Sequence, residues 1–391
     1  MSLKKPLQTI VIKPAGPDCN LDCTYCFYLD KNKLYPESSV HKMNDKILEE
    51  LISQAMKQSG TNINFLWQGG EPALSGIEFY KKVIALEKKY GFGKVVGNGF
   101  QTNGTLLNEE WADFLKENNF LVGLSLDGPQ HIHDKYRTHN NGNGSWEKVH
   151  KIAQMLIKKG VELNAMVSLT DYSAHFPGEL YLFYKNLGIS WMQFIPVVEK
   201  DKNNPAQAAS FSLKPKQFTE FLIEIFKLWY QDLSEGRQSY VRYFDNLFYR
   251  FVDLPSPECT LEPSCGSYVL VEHNGDVYAC DYFVEPKWKL GNIMENKLID
   301  MLNSAKQEKF GKIKENLSLI CHVCEWLSFC YGGCPKDRIR DPRDKGQNHF
   351  CDSLKHFISF TEPYFRELAA QWKSDSRNIR NKETLDISGY F

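Results

Sequence analysis

The feature of this sequence that most restricts its fold and chemistry is the distribution of its eleven cysteines. Three lie in residues 19–26, none lies in the next 232 positions, and eight lie between residues 259 and 351. Cysteines scattered through ordinary cores would not leave such a gap, and the chain shows no export signal that would favour disulfides. The thiols therefore predict at least two separate sites, at opposite ends of the sequence.

The N-terminal thiols have the spacing C-x3-C-x2-C, formed by Cys19, Cys23 and Cys26. They follow an apolar strand pattern and a loop rich in proline and glycine. Three thiolates so close together can hold one face of a metal centre, but they cannot complete a four-coordinate site. The spacing favours a [4Fe–4S] cluster in which one iron has no protein ligand. The alternatives are a zinc loop with a fourth ligand such as His41, or three ordinary buried thiols.

Composition argues against several classes of function. The 391 residues suffice for one large and one smaller domain, and the apolar (42%) and charged (24%) fractions are typical of a globular protein. A net charge of −1 gives no electrostatic case for a nucleic-acid or anionic-membrane partner. No apolar run approaches the roughly 20 residues of a membrane helix, and the N-terminus lacks a secretory core. We expect a cytoplasmic protein without nucleic-acid or membrane partners.

Residues 8–198 alternate between strand-like and helix-like patterns. This alternation argues for parallel strands in an α/β barrel or a doubly wound sheet. Eight strands would close a barrel, so six predict an open, partial (β/α)6 barrel. The predicted strands are Thr9–Ile12, Asn62–Trp67, Lys94–Val96 leading to Gln101, Phe120–Ser125, Val161–Leu169 and Trp191–Ile195. The predicted helices are Asn44–Gln58, Ile77–Tyr90, Asn108–Glu117, Trp146–Lys159 and Phe176–Asn186.

Polar or glycine-rich loops follow four of these strands. The reactive groups of such folds lie where strands end and loops begin. Each loop alone is typical of an ordinary turn, but four at successive strand ends predict a ring of functional loops. They are Cys19–Cys26, Gln68–Pro72, Gln101–Thr105 and Ser125–Pro129.

The C-terminal region is rich in cysteines and turns. Eight thiolates would make two complete four-ligand sites, for which zinc is the alternative to iron–sulfur clusters. Iron–sulfur is favoured because the N-terminal site already implies cluster chemistry, and a redox reaction needs a path for electrons. The order of the cysteines does not say which of them share a site. A hairpin is predicted around Asn274-Gly275, and helices are predicted at Phe218–Tyr230 and Tyr364–Trp372.

From Ile10 to Cys351 the sequence resembles radical S-adenosylmethionine (SAM) enzymes with a C-terminal SPASM domain. Within that group it is similar to the anaerobic sulfatase-maturating enzymes. The generic motifs are the two cysteine sets and Gly69-Gly-Glu-Pro72. The more particular ones are Trp67–Pro72, Gln101–Thr105, Leu121–Pro129, Gln193–Ile195, Arg242–Asp245 and Tyr278–Tyr282.

This resemblance implies a domain organisation and cofactors. A radical-SAM partial barrel would occupy residues 1–200, a connecting helical segment 201–258, and a SPASM domain with a C-terminal helix 259–372, before a polar tail over 373–391. The cofactors would be SAM and three [4Fe–4S] clusters. The ligand sets would be Cys19, Cys23 and Cys26; Cys259, Cys265, Cys280 and Cys334; and Cys321, Cys324, Cys330 and Cys351.

The resemblance also implies roles for individual residues. The open iron would bind the amino and carboxylate groups of SAM, whose cleavage gives a 5′-deoxyadenosyl radical. Asp281 would be the general base. The SAM-binding residues would be Tyr25 through its backbone, Gly70 at the amino group, Ser125 and Arg137 at the ribose and carboxylate end, and Val198 at the adenine.

The implied reaction is oxidation of a cysteine or serine in a sulfatase polypeptide to formylglycine, with an electron donor such as flavodoxin or ferredoxin. The alternative within the class is a SPASM enzyme that forms thioether or carbon–carbon crosslinks in a precursor peptide. Those enzymes often carry a precursor-recognition domain, for which we expect no room before Thr9. The non-enzymatic alternative is a zinc-stabilised binding module.

Overall fold

The computed structural model describes residues 4–374 and consists of two compact units. Unit 1 is formed by residues 4–167, 187–189 and 264–313, and unit 2 by residues 168–186, 190–263 and 314–374. No helix within residues 4–374 combines the length and the apolar character needed to cross a membrane. The domain boundaries predicted from the motifs stay a prediction, and the predicted tail lies, from residue 375 onward, outside the described residues.

Residues 4–374 contain ten strands and thirteen α-helices. The strands are β1 (Thr9–Lys13), β2 (Asn62–Trp67), β3 (Val95–Thr102), β4 (Phe120–Leu124), β5 (Glu162–Leu169), β6 (Trp191–Pro196), β7 (Tyr240–Val241), β8 (Val269–Glu272), β9 (Asp276–Tyr278) and β10 (Lys289–Asn292). The helices are α1 (Asp45–Gln58), α2 (Ile77–Tyr90), α3 (Glu109–Glu117), α4 (Gln130–His133), α5 (Trp146–Lys158), α6 (Pro177–Leu187), α7 (Pro215–Ser234), α8 (Arg242–Phe251), α9 (Leu298–Leu302), α10 (Ala305–Gly311), α11 (Leu319–His322), α12 (Leu327–Cys330) and α13 (Cys351–Ser374).

The predicted secondary structure is confirmed. All six predicted strands and all five helices between them are present, with ends that differ by at most one residue. The hairpin is formed by β8 and β9, which pair antiparallel around Asn274-Gly275. The helix predicted at Phe218–Tyr230 is the middle of α7, and the one predicted at Tyr364–Trp372 is the second half of α13.

The sheet of unit 1 places the ends of its parallel strands side by side. Its order is β10-β9-β8-β1-β2-β3-β4-β5, with β1 to β5 parallel. Strand β8 pairs parallel with β1, so that Lys13 is the register partner of Glu272. The loop after β1, the loop after β2 and the end of β8 therefore lie at one edge of the sheet.

An aromatic core fixes the sheet of unit 1 against its helices. Trp67 at the end of β2 is fully buried and contacts Tyr80 of α2 edge-on, with a ring separation of 5.6 Å. The Trp67 indole N–H donates to Asn98 Oδ1 at 2.8 Å, so its single polar atom is satisfied. This packing sets the direction in which the chain leaves β2 and enters the loop that begins at Gln68.

Unit 2 has a core of aromatic side chains from three helices. The ring of Phe226 in α7 lies 5.5 Å from that of Phe244 in α8, and 5.9 and 5.4 Å from those of Phe357 and Phe365 in α13. All four side chains are buried. The apolar face of α7 thus forms part of the core, and it anchors the helix that begins at Cys351.

Candidate active site

The cysteine loop, residues 19–26, is held by backbone hydrogen bonds at the end of β1. The Asp22 N–H donates to Thr138 O at 2.8 Å and the Thr24 N–H to Tyr136 O at 3.0 Å, while the Cys26 N–H closes a turn onto Cys23 O. These bonds tie the loop to the segment that follows α4. The loop geometry therefore does not depend on its thiols alone.

Donors point at two thiols of the cysteine loop. Cys19 Sγ accepts from the Leu21 N–H at 3.5 Å and from Asn103 Nδ2 at 3.7 Å, and Cys23 Sγ accepts from Arg137 Nη1 at 4.0 Å. Such hydrogen bonds to ligand sulfur stabilise thiolates and set the properties of a cluster. The three donors would therefore stabilise negative charge on the sulfur atoms of Cys19 and Cys23.

The thiols themselves resist ionisation. Burial raises the pKa of Cys19 to about 12 and that of Cys23 to about 11, and the neighbouring thiols add to both shifts. Because metal ligation needs thiolates, a cation must replace these protons. Closely spaced thiols of this kind suit a strongly bound, positively charged metal group.

The thiols of the chain are not paired with one another. All eleven cysteines are free of disulfides. In residues 4–374, no three cysteine sulfurs lie within 4.8 Å of one another. Sulfurs around a tetrahedral zinc ion lie roughly 3.8 Å apart, because each Zn–S bond is about 2.3 Å long. In residues 4–374, no three thiols therefore have the spacing of a ready-made single-ion site.

His41 does not offer a fourth ligand to the cysteine loop. Its Nδ1 lies 2.7 Å from Asp18 Oδ1 and its Nε2 lies 3.0 Å from Tyr35 O. Burial lowers the pKa of His41, but the hydrogen bonds that the ring makes to the Asp18 carboxylate and the Tyr35 carbonyl raise it overall. With both nitrogens engaged, the histidine is structural.

One group of described side chains has the spacing of a single-ion site, but the positively charged side chain of Arg343 already binds to it. In it, the ligand atoms of Asp341, Asp344 and His349 lie within 4.8 Å of one another. Both oxygens of Asp341 accept from Arg343, at 2.5–3.1 Å. Arg343 therefore takes the place that an ion would need.

The loop after β2 packs directly on the cysteine loop. A Cβ at Gly70 would lie 1.9 Å from Asp18 O, so only glycine fits. The Gly70 N–H donates to Gly16 O at 2.9 Å and the Glu71 N–H to Asp18 O at 2.8 Å. The position predicted to contact SAM is thus fixed against the cysteines.

Glu71 fixes the other side of the same loop. Its fully buried carboxylate accepts from the Asn103 N–H at 2.7 Å, the Thr102 hydroxyl at 2.7 Å and the Ala73 N–H at 2.9 Å. Burial raises the pKa of Glu71 to about 7 despite these bonds. The residue connects the loops after β2 and β3, whose grouping the strand pattern predicted.

Arg137 and Tyr25 meet at a shared carboxylate. Asp127 Oδ2 accepts from the Tyr25 hydroxyl at 2.5 Å and from Arg137 Nε at 2.8 Å. The pKa of Arg137 is raised well above its usual value: burial lowers it, but Asp127, Tyr25 and Cys23 raise it more. Ser125, at the end of β4, is buried two residues before this carboxylate. Two of the predicted SAM-binding residues, Tyr25 and Arg137, are therefore joined by Asp127, which had no predicted role.

A neutral histidine positions this group. His133 Nδ1 accepts from the Asp127 N–H at 3.1 Å, so its Nε2–H donates to Ser145 Oγ at 2.9 Å. The Ser145 hydroxyl donates in turn to Arg137 O at 2.9 Å. Burial lowers the pKa of His133 to about 4, which keeps this hydrogen-bond direction fixed at neutral pH.

Asp281 lies beside a cysteine and is oriented by two side chains. Its Oδ1 accepts from the Tyr268 hydroxyl at 3.0 Å, and its Oδ2 accepts from Gln68 Nε2 at 3.4 Å. The same hydroxyl lies 3.3 Å from Cys280 Sγ. The predicted base thus touches Gln68 of the loop after β2.

Lys13 is a buried cation that interacts electrostatically with Asp281 and with nearby cysteines. Only 2% of its surface is exposed, and its Nζ lies 3.3 Å from the centre of the Tyr28 ring. Burial lowers the pKa of Lys13, against the opposing effects of Glu272, Asp281, Cys26 and Cys280. The ammonium therefore lies within electrostatic reach of one cysteine of each set.

Four C-terminal cysteines line one cavity in unit 2. The cavity is enclosed by helices α11 to α13, and its wall includes the apolar side chains of Trp326, Leu327, Leu354 and Ile358. Burial raises the pKa of Cys330 and raises that of Cys351 to about 11. The cavity cysteines are Cys321, Cys324, Cys330 and Cys351, the set that the resemblance assigned to one cluster.

The remaining four cysteines are found in both units. Cys265 and Cys280 pack against the same small core of unit 1, formed by Ala279, Phe283 and Phe310. Cys259 and Cys334 belong to unit 2, as does the fully buried Val198. Their grouping in one cluster, and the role of Val198 at the adenine, stay predictions.

Two family models match the chain. The radical SAM superfamily model matches residues 14–178, and an iron-sulfur cluster-binding domain model, SPASM, matches residues 263–325. The first range contains the cysteine loop and the second begins just before Cys265. Both predicted domain types are confirmed by these matches.

Relatives match over almost the whole length. A serine-type anaerobic sulfatase-maturating enzyme of Bacteroides thetaiotaomicron is 38% identical over 377 residues, covering 92% of this chain and 90% of the relative. A cysteine-type enzyme of Clostridium perfringens is 36% identical over 367 residues, covering 92% and 97%. The chain belongs to the anaerobic sulfatase-maturating enzymes.

A solved structure of this family confirms the fold class. Native anSMEcpe with bound AdoMet and Cp18Cys peptide is 34% identical and superposes with a TM-score of 0.85, covering 94% of this chain and 99% of that one. As a member of the family, the chain is a radical SAM oxidoreductase that uses SAM and iron–sulfur clusters. Its assignment of eleven cysteines to three clusters stays a prediction.

Several residues of this site were missed by sequence reasoning. Lys13 and Tyr268 were given no role, and Gln68 and Asp127 were noted only within loops. Asp127 could have been found, because it follows Ser125 in a loop already singled out. For Lys13 and Tyr268 no local signal exists, since each acquires its role from partners distant in sequence.

Proposed function

We propose that the chain oxidises a cysteine or serine side chain of a sulfatase polypeptide to Cα-formylglycine. The observation that carries this proposal is the position of Asp281, held by Tyr268 and Gln68 beside Cys280. A general base must lie within hydrogen-bond reach of the proton that it removes, and its orientation must be fixed. Relatives named for sulfatase maturation support this reaction for the chain.

The cofactors and the side chains of the protein carry out different parts of the reaction. When bound, SAM and the clusters supply the radical that removes a Cβ hydrogen atom and the acceptor for the remaining electron. Asp281 takes the thiol or hydroxyl proton. Its Oδ2 is the better acceptor, because Gln68 contacts it at 3.4 Å whereas Tyr268 holds Oδ1 at 3.0 Å. Loss of these two hydrogens and one electron leaves a thioaldehyde, which water hydrolyses, or the aldehyde itself.

Residues of unit 1 hold the reactants in place. Cys19, Cys23 and Cys26 would ligate the cluster that binds SAM, and the buried ion pair of Arg137 with Asp127 keeps the cysteine loop fixed from one side. Gly70 lets the loop after β2 approach from the other. Fixing both loops reduces the reorganisation needed when the substrate binds.

We propose that the physiological substrate residue is a cysteine or a serine. Relatives named serine-type and cysteine-type are similarly close, at 38% and 36% identity. We further propose that a small electron-transfer protein such as flavodoxin or ferredoxin supplies the electron that starts each turnover.

The reaction is tested with paired peptides. Reconstituted enzyme with about twelve irons per chain, reduced and supplied with SAM, should form 5′-deoxyadenosine and convert a sulfatase-derived peptide to its aldehyde. Cysteine and serine versions of the same peptide, followed by mass spectrometry, give the substrate residue. A variant with alanine at all three N-terminal cysteines is the control and should form neither product. Deoxyadenosine formation without any change in peptide mass would contradict the proposal.

Substituting Gly70 is expected to weaken SAM binding. Gly70→Ala places a Cβ 1.9 Å from Asp18 O, so the loop must move away from the cysteines. We expect an affinity loss on the order of tenfold, equivalent to about 1.4 kcal/mol, measured by equilibrium dialysis. Gly60→Ala is the matched control, because its Cβ would meet nothing within 4 Å. Equal affinities for both variants would show that this close approach is not required.

A further inference from the structure

A buried hydroxyl on α8 lacks a hydrogen-bond partner. Tyr243 Oη is inaccessible to solvent, and no partner lies within hydrogen-bond distance among residues 4–374. Buried polar groups in native proteins are almost always paired, so each exception requires an explanation. An acceptor that is not part of the polypeptide is one such explanation.

The surroundings of Tyr243 indicate where that acceptor lies. Its ring packs 5.8 Å from Phe357 in α13, the helix that begins at Cys351 and contributes Leu354 and Ile358 to the cavity wall. Helix α8 also packs on α12, which ends at Cys330, through rings of Phe251 and Phe329 that lie 4.9 Å apart. Tyr243 is thus on a helix that packs against the two helices that carry Cys330 and Cys351.

Electrostatics agree with this placement. Burial raises the pKa of the Tyr243 hydroxyl, and the one charge that adds to the shift is that of Cys330. The hydroxyl therefore stays protonated and can act as a donor. No side chain competes for its hydrogen, since the partner is missing among the described residues.

We propose that the Tyr243 hydroxyl donates a hydrogen bond to the iron–sulfur group held by the four cavity cysteines and raises its reduction potential. The bond stabilises the reduced state more, because reduction adds negative charge to the sulfur atoms. Tyr243 is a positioning residue in this proposal, since it does not touch the substrate. The inference shares one assumption with the proposed function, namely that these cysteines hold a cluster. It does not depend on the peptide reaction.

A redox titration of Tyr243→Phe tests the proposal. The reconstituted full chain is titrated anaerobically and its clusters are followed by electron paramagnetic resonance. We expect one midpoint potential to become more negative, with a fall of about tenfold in the reduction equilibrium constant, or about 59 mV, while the others stay unchanged. Tyr364→Phe is the control, because this tyrosine of α13 is partly exposed and its ring packs on Phe226 and Tyr230.

Each outcome decides the question. A shift of one potential in Tyr243→Phe alone supports the proposal, and unchanged potentials overturn it. Should the variant lose a cluster, the wild-type enzyme gives the answer by electron–nuclear double resonance after exchange into deuterium oxide. A strongly coupled exchangeable proton at the cavity cluster is expected there, and its absence overturns the proposal independently of the variant. Peptide oxidation is measured in parallel, so that failure of the proposed function remains distinguishable.

Discussion

Asp281→Asn is expected to keep SAM cleavage and to lose peptide oxidation by roughly 10²–10⁴-fold, the usual contribution of a positioned base. Asparagine keeps the shape and can still accept from Tyr268, but its amide nitrogen faces Gln68 Nε2 and cannot take a proton. Because the radical is formed elsewhere, deoxyadenosine should accumulate without a matching amount of aldehyde. The measurement is the ratio of the two products by mass spectrometry.

The control for this variant is Asp300→Asn, at an exposed aspartate of α9 in the same unit. It should behave as wild type in both products. Tyr268→Phe should give an intermediate loss, because one of the two orienting hydrogen bonds remains. If Asp281→Asn oxidises peptide at the wild-type rate, the base lies elsewhere. If it fails to cleave SAM as well, the carboxylate serves the cofactor rather than the substrate.

Local patterns were enough to predict the elements that carry the site. Strand β2 alternates buried and exposed residues along its whole length, and its predicted bounds are those observed. The cysteine loop and the loop from Gln68 to Pro72 follow strands whose parallel register is now explicit. Since strand ends meet at one edge, the grouping of loops followed from the order of elements alone.

Pairings between distant side chains could not be predicted in the same way. Lys13 is the last residue of an otherwise apolar strand, and a lysine at a strand end is typically exposed to solvent. Its burial depends on Tyr28 and on Glu272, which pairing of β8 with β1 brings alongside. The ion pair of Arg137 with Asp127 likewise depends on the path of the chain around α4. Such contacts are products of tertiary structure and leave no local pattern.

The division of the C-terminal cysteines into two ligand sets could not be predicted from local patterns either. Their order allows many groupings, and only resemblance suggested that Cys351 joins Cys321, Cys324 and Cys330. In unit 2 the aromatic core around Phe226 carries α13 to the position where Cys351 lines the same cavity as the other three. Packing of apolar residues, rather than the spacing of the cysteines in the sequence, determines which of these cysteines lie together.

Lys13→Met is expected to destabilise the enzyme by about 3 kcal/mol, the cost of removing one partner from a buried pair of charges. The Lys13 ammonium lies on the Tyr28 ring, and the Tyr28 hydroxyl donates at 2.5 Å to Glu272 Oε1. Glu272 is fully buried, and within residues 4–374 its Oε2 accepts no hydrogen bond. Without the nearby cation its negative charge would be poorly compensated. Urea unfolding of the reconstituted enzyme, followed by tryptophan fluorescence, measures the loss.

A double variant separates charge from packing in this prediction. Lys13→Met with Glu272→Gln removes both charges and keeps both volumes, so most of the lost stability should return, and the two substitutions should be strongly non-additive. Lys46→Met, at an exposed position of α1, controls for the loss of a lysine as such. Additive costs would mean that Lys13 and Glu272 act independently. In that case Tyr28 would be holding two unrelated side chains, and the buried cation would serve the neighbouring cysteines and Asp281 rather than Glu272.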